Sequence, residues 1–127
     1  MICSLKLSIL CGLTCRKPVD FEDSVRDHDR KKIPIGAGVL DYFPAALAEV
    51  AKVSYRGNEQ HNPGQPLHWA RGKSTDQYDT MIRHSLERGS LDTDGQRHSA
   101  KMAWRALAIL QLELEAEGAP IARGAKK

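Results

Sequence analysis

The chain reads as mainly α: a three-helix core, assembled as an oligomeric helical bundle, behind one short N-terminal β-strand. Three observations predict this class. Apolar residues recur at three- and four-residue steps in three windows, each opened by a helix-start residue and closed by glycine. The third window is apolar almost all round from Met102 to Leu110, so it needs cover on every side. Only near the N-terminus does the period change to two.

In that N-terminal strand Cys3, Leu5, Leu7, Ile9, Cys11 and Leu13 share one face. A lone strand cannot stabilise itself and must pair, its own copy in another subunit being one partner within reach. The stretch Asp20 to Lys32 runs from acids to bases and reads as a solvated connector. Residues 1–31 are therefore expected to be strand and connector, 32–118 an all-α core, and 119–127 a flexible tail.

Pro44 at a first-turn position starts the first helix, and Gly57 is expected just past its end. Leu47, Val50, Ala51 and Ser54 form its inner stripe; Glu49, Lys52 and Arg56 form the outer one. Gly57 to Lys73 is rich in Gly, Pro and Asn and carries His61, His68, Trp69 and Arg71. Irregular segments of this length are usually functional or disordered. Ser74 opens the second helix, with Gln77 completing a capping box, and Gly89 stops it. Tyr78, Met81, Ile82, Ser85 and Leu86 share one face; Asp79, Arg83 and Glu87 stack on a polar flank, with His84 on the other. A second capping box, Thr93 with Gln96, starts the third helix near Thr93 or Asp94, and Gly118 ends it before Pro120. The first two helices cannot enclose this third one, so a second subunit is expected to.

At 127 residues, 41% apolar and 28% charged, the chain has the composition of one ordinary globular domain. A net charge of +3 is too weak for a protein that coats nucleic acid, so no nucleic-acid polymer is expected as a partner. The three cysteines fall within the first fifteen residues with no framework spacing, which suits free thiols in a reducing compartment. The N-terminal apolar run is short, is broken by Lys6 and lacks a cleavage site. No stretch approaches the length of a membrane span. A cytoplasmic protein with no membrane partner is the expectation.

Chemistry concentrates between Arg83 and His98, where two Arg-His pairs and two Asp join the second and third helices. Arginines and helix N-termini bind phosphate oxygens, while imidazoles and carboxylates bind metal ions. A phosphorylated small molecule is thus the leading ligand. Asp92 and Asp94 either complement a helix dipole or ligate a metal. An EF-hand is excluded, because Lys101 falls where its bidentate Glu would stand. His84 and His98 can clamp a metal with Asp92, or serve as satisfied structural histidines. His98, Lys101 and Arg105 form a basic ridge, either solvated or facing a polyphosphate at a subunit boundary. Trp69, beside Arg71, is either a core plug or a stacking surface for a base. Glu49 is either an exposed partner of Lys52 or an inward ligand.

One ordered set of pieces carries a family resemblance. It runs Pro44-Ala45-Ala46-Leu47-Ala48-Glu49-Val50-Ala51-Lys52-Val53, Gly57, the Trp69 region, Tyr78-Asp79-x-x-x-Arg83-His84, Gly89-x-x-Asp92, then Gly95-x-x-His98 before an alanine-rich helix. From Ile33 to Leu114 the chain resembles the phage and prophage family of dATP/dGTP diphosphohydrolase N-terminal domains. That family is similar to the MazG-like all-α nucleotide pyrophosphohydrolases. The resemblance implies a MazG-like core, a homo-oligomer (dimer or higher), a nucleotide between helices, and Mg²⁺ or Mn²⁺. For a phage-encoded protein it also implies the host cytoplasm. Functional roles could be carried onto Glu49, Asp79, His84, Asp92 and His98. Ser90 departs from the Glu that usually follows Gly89 in the family, and the paired carboxylate blocks of classical MazG-like enzymes are absent.

Two functions follow as expectations. In the first, Glu49, Asp79 and Asp92 catalyse cleavage of a purine dNTP at its α–β bond. A metal then sits among Asp92, Asp94, His84 and His98, and Trp69, Arg71, Arg83, His84, Arg97, His98 and Lys101 bind the nucleotide. In the second, the same basic and aromatic groups sequester a host anti-phage signalling nucleotide at a subunit interface without chemistry, as a sponge does. A helical scaffold with merely solubilising charges is the third reading.

Overall fold

The computed structural model describes residues 28–126; the predicted N-terminal strand and the start of the connector lie outside them. Within the described residues the fold is mainly helical. A 3₁₀ turn at His28–Lys32 and a π-helical turn at Gly36–Leu40 lead into α1, Pro44–His61. Next come strand β1, Trp69–Ala70, a 3₁₀ turn at Arg71–Lys73, and α2, Gln77–Leu86. Helix α3, His98–Ala116, and strand β2, Ala125–Lys126, complete the order.

Pro44 opens α1 as expected, since its missing N–H has no partner to lose there. The helix does not stop at Gly57. It runs four residues further, to His61, because Gly57 takes no positive φ and the chain finds its end at the Asn62 turn. Similarly, α2 starts at Gln77 rather than Ser74, and no capping box forms. Gln77 turns its amide onto the Ser74 carbonyl (2.9 Å), and Ser74 Oγ accepts from Arg105 (2.8 Å) instead of capping the helix. Gly89, at φ +90°, reverses the chain after α2 as predicted.

The largest departure lies at residues 91–97. A helix start was expected at Thr93 or Asp94, yet the segment is a tight turn. Asp92 N–H bonds Gln96 O (2.7 Å), Gly95 N–H bonds Asp92 O (2.9 Å), and Leu91 bridges Arg97 antiparallel. Asp92 accepts the Thr93 N–H (2.7 Å) and Asp94 the Gln96 N–H (3.0 Å), so both acids cap this turn rather than a helix. Gly95 supplies the φ of +82° that the turn requires.

Helix α3 packs most extensively on α2 and next on α1. Only Ala100 and Ala108 are fully buried hydrophobics among the described residues. These small side chains let the helices approach closely. Leu107, Leu110, Leu112 and Leu114 stay exposed, so a single copy covers only part of the apolar ring of α3. Residues expected to fray after α3 instead lie back on the fold. Ala122 N–H bonds Glu115 (2.9 Å), Trp69 N–H bonds Gly124 O (2.7 Å), and β2 pairs parallel to β1 with Trp69 opposite Ala125. Among the described residues no single helix is long and apolar enough to cross a membrane.

Candidate functional site

A cleft of about 470 Å³ opens between the second half of α1, residues 67–74 and the start of α3. Its aromatic wall is an edge-on indole pair, Trp69 and Trp104, with centroids 5.5 Å apart at 77°. Trp104 is fixed by its Nε1–H donated to Ser54 Oγ (2.8 Å). Trp69 carries the Arg71 guanidinium 4.2 Å from its ring centre, and Arg71 makes a two-point ion pair with Glu115. That pair, with further bonds from Gln111 and Ala122, holds the Glu115 carboxyl down to about 2. The floor turns on Asn62, fully buried, whose amide reaches Asn58 Oδ1 (3.0 Å) and the His68 carbonyl (3.5 Å).

Four basic side chains, Arg56, Lys73, Lys101 and Arg105, line the cleft against two acids, Asp92 and Asp94. Lys101 Nζ takes both acids at once, at 2.7 and 2.8 Å. Burial acts to lower the Lys101 pKa, but its bonds to the two carboxylates outweigh it, so the ammonium stays charged. Each carboxylate is held below its ordinary range, first by that Lys101 bond and then by a backbone N–H. With both acids spent on one lysine, the remaining lining is cationic.

On the cleft lining, His84 and Asp92, together with the buried His98, offer ligand atoms that all lie within 4.8 Å of one another. The imidazoles touch through Nδ1 at 2.9 Å, which requires one ring to donate and the other to accept. His98 is 5% exposed, with Nε2 lying 3.7 Å from Glu87. Burial is the main force lowering the His84 pKa, with the neighbouring His98 and Lys101 adding to it. His84 is therefore biased to the neutral, ligating form. Two imidazoles and one carboxylate suit a first-row transition metal better than Mg²⁺, which prefers oxygen alone.

The structure thus brings together Trp69, His84, Asp92, Asp94, His98 and Lys101 of the residues expected from sequence. It separates the others. Glu49 pairs with Lys52 (2.8 Å) outside the cleft. Asp79 is exposed on α2. Arg83 turns to Thr80 and Asp76, Arg97 is exposed before α3, and Arg71 props Trp69 from behind. Sequence reasoning passed over Lys73, Trp104, Asn58 and Asn62, and named Arg105 only as part of a ridge. A tryptophan within an apolar helix gives little sign that it turns toward an irregular segment thirty residues earlier.

The chain is thus a small, mainly helical domain with an aromatic, cationic cleft beside an imidazole–carboxylate cluster. The family model described as dATP/dGTP diphosphohydrolase, N-terminal, matches residues 22–120, and the chain belongs to that family. No curated protein and no solved structure matches it.

Proposed function

We propose that the cleft binds a purine deoxynucleoside triphosphate and that the protein is a metal-dependent pyrophosphohydrolase acting at the α–β bond. The observation that carries this reading is the composition of the cleft: an indole pair on one wall, cations in excess of acids on the others. Indole faces stack nucleobases, and desolvated cations hold polyphosphate. The family supports a purine dNTP as the ligand. His84, Asp92 and His98 would hold a divalent ion, which when bound supplies charge stabilisation and an activated water. Lys101 must then share Asp92 or shift toward Asp94, its second carboxylate.

One observation favours the sponge reading instead, in which an anti-phage signalling nucleotide is held intact. Glu49 and Asp79 stand outside the cleft, and both acids inside it are engaged by Lys101. Few carboxylates remain to order a second ion. In either case the exposed leucines of α3 support a homo-oligomer.

Purified protein incubated with dGTP or dATP and Mn²⁺ separates the readings. Release of pyrophosphate, abolished by Asp92→Ala, establishes hydrolysis. Nucleotide carried through gel filtration and recovered intact on denaturation establishes sequestration. Absence of both binding and turnover rejects the nucleotide assignment.

A further inference from the structure

Arg105 stands apart from the other cations of the cleft. It lies on α3 beside Trp104, its guanidinium carbon 5.5 Å from that ring, and it is partly buried. No carboxylate among the described residues lies within ion-pair distance of it. Its protein acceptors are neutral: Nη1 donates to Ser74 Oγ (2.8 Å) and to Gln77 Oε1 (3.0 Å). Gln77 is itself buried and is oriented by its bond to the Ser74 carbonyl, so the fork is held from behind. Among the described residues Nη2 and Nε make no hydrogen bond to a protein acceptor. Burial pushes this guanidinium's pKa down and the nearby charge of Asp76 opposes that only in part, yet an arginine does not lose its proton in a protein, so an incompletely compensated charge faces the cleft.

Holding a charge out of water without a counter-ion is costly, and proteins keep such a group where a ligand supplies the missing charge. Arg56 and Lys73, also on the lining, make their polar contacts to backbone carbonyls, of Asp94 (3.4 Å) and His61 (2.6 Å) respectively. Both are exposed and contribute a screened field rather than a directed bond.

We propose that Arg105 is the directional anchor for a phosphoryl group of the ligand. Its unpartnered N–H donors take two oxygens of one tetrahedral phosphate, Ser74 and Gln77 fix the fork, and Lys73 adds charge from the rim. This deepens the nucleotide reading and rests on it only for what the phosphoryl group is attached to. The phosphate-binding wall is then the start of α2 facing α3, rather than the 83–98 junction that the Arg-His pairs suggested.

The test is calorimetric titration of the full chain in EDTA, so that phosphate is read by protein donors alone. The probes are tripolyphosphate, dGTP and deoxyguanosine. Wild-type protein is expected to bind tripolyphosphate and dGTP, and deoxyguanosine much more weakly. Arg105→Gln should weaken both phosphates about 10- to 100-fold and leave deoxyguanosine unchanged. Arg105→Lys, which keeps charge and loses the fork, should fall between. Arg30→Gln, an exposed change of the same charge, should do nothing. Should Arg105→Gln fail to give a native circular-dichroism spectrum, Arg105→Lys and Lys73→Gln decide the matter: both must weaken tripolyphosphate, Arg105→Lys by the larger factor. Arg105 variants that bind tripolyphosphate within twofold of wild type overturn the proposal, as does wild-type protein that binds no phosphate. Tight tripolyphosphate binding lost in Arg105→Gln, with no further gain for dGTP, upholds the anchor and rejects the nucleotide.

Discussion

At the scale of single residues, the two-point ion pair of Arg71 with Glu115 is a part-buried tie between elements. It ties the 3₁₀ turn that follows β1 to α3, and the Glu115 side chain is 5% exposed with further bonds from Gln111 and Ala122. Its carboxyl sits at about 2 in the fold against an ordinary 4.5. A lowered carboxylate pKa means the unfolded chain binds the proton more readily, so the stabilisation is complete above 4.5 and disappears as pH falls through about 2. Glu115→Gln is therefore expected to cost about 2–3 kcal/mol at neutral pH and to flatten the acid limb of urea denaturation curves. Unchanged stability, or an unchanged acid limb, would contradict this. Residues such as His84, Asp92, His98 and Trp69 were legible in the sequence because their chemistry is conspicuous near turns. Arg105 was only part of a ridge, because its isolation from acids is a property of three elements at once.

At the scale of elements, periodicity placed three helices correctly, and local punctuation placed Pro44, Gly89 and Gly118 but misplaced the end of α1 and the starts of α2 and α3. Gly57 looked like a stop, but α1 carries it in its interior, where a Cβ would meet no atom within 4 Å. Gly57→Ala should accordingly stabilise the protein by about 0.5–1 kcal/mol, seen as a rise in thermal midpoint. A helix terminus with positive φ at this position would give a loss instead. The acids at 92 and 94 matched a capping pattern, yet cross-turn bonds to Thr93 and Gln96 used them first. Residues 119–126 follow the Gly118 and Pro120 stop and show no helical or strand period, which suggests fraying. Nothing in the sequence reports that Gly124 accepts the Trp69 N–H. Truncation after Gly118 removes that acceptor and β2, so it should red-shift tryptophan emission and deprotect the Trp69 amide in hydrogen exchange. Slow exchange surviving the truncation would refute the tie.

For the whole molecule, two buried alanines among the described residues 28–126 are a thin apolar core. Exposed Leu107, Leu110, Leu112 and Leu114 supply the surface that a second copy would bury. The apolar ring from Met102 to Leu110 announced this need in the sequence, since water cannot be left on every side of such a helix. Light scattering on the eluting protein should give a multiple of the 14.1 kDa chain mass, and Leu107→Glu with Leu110→Glu should dissociate it. A wild-type monomer would sink the assembly.

On the proposed function, the cleft between α1 and α3 holds a nucleotide, its phosphates met by cations and by a metal on the His84–Asp92–His98 cluster. Calorimetric titration of dGTP into the full chain with Mn²⁺, run beside Asp92→Ala and Arg105→Gln, is the decisive measurement. One saturable site per chain, weakened at least about tenfold by either substitution, is the expected result. Binding that both variants leave intact, or no binding by the unaltered chain, would contradict it.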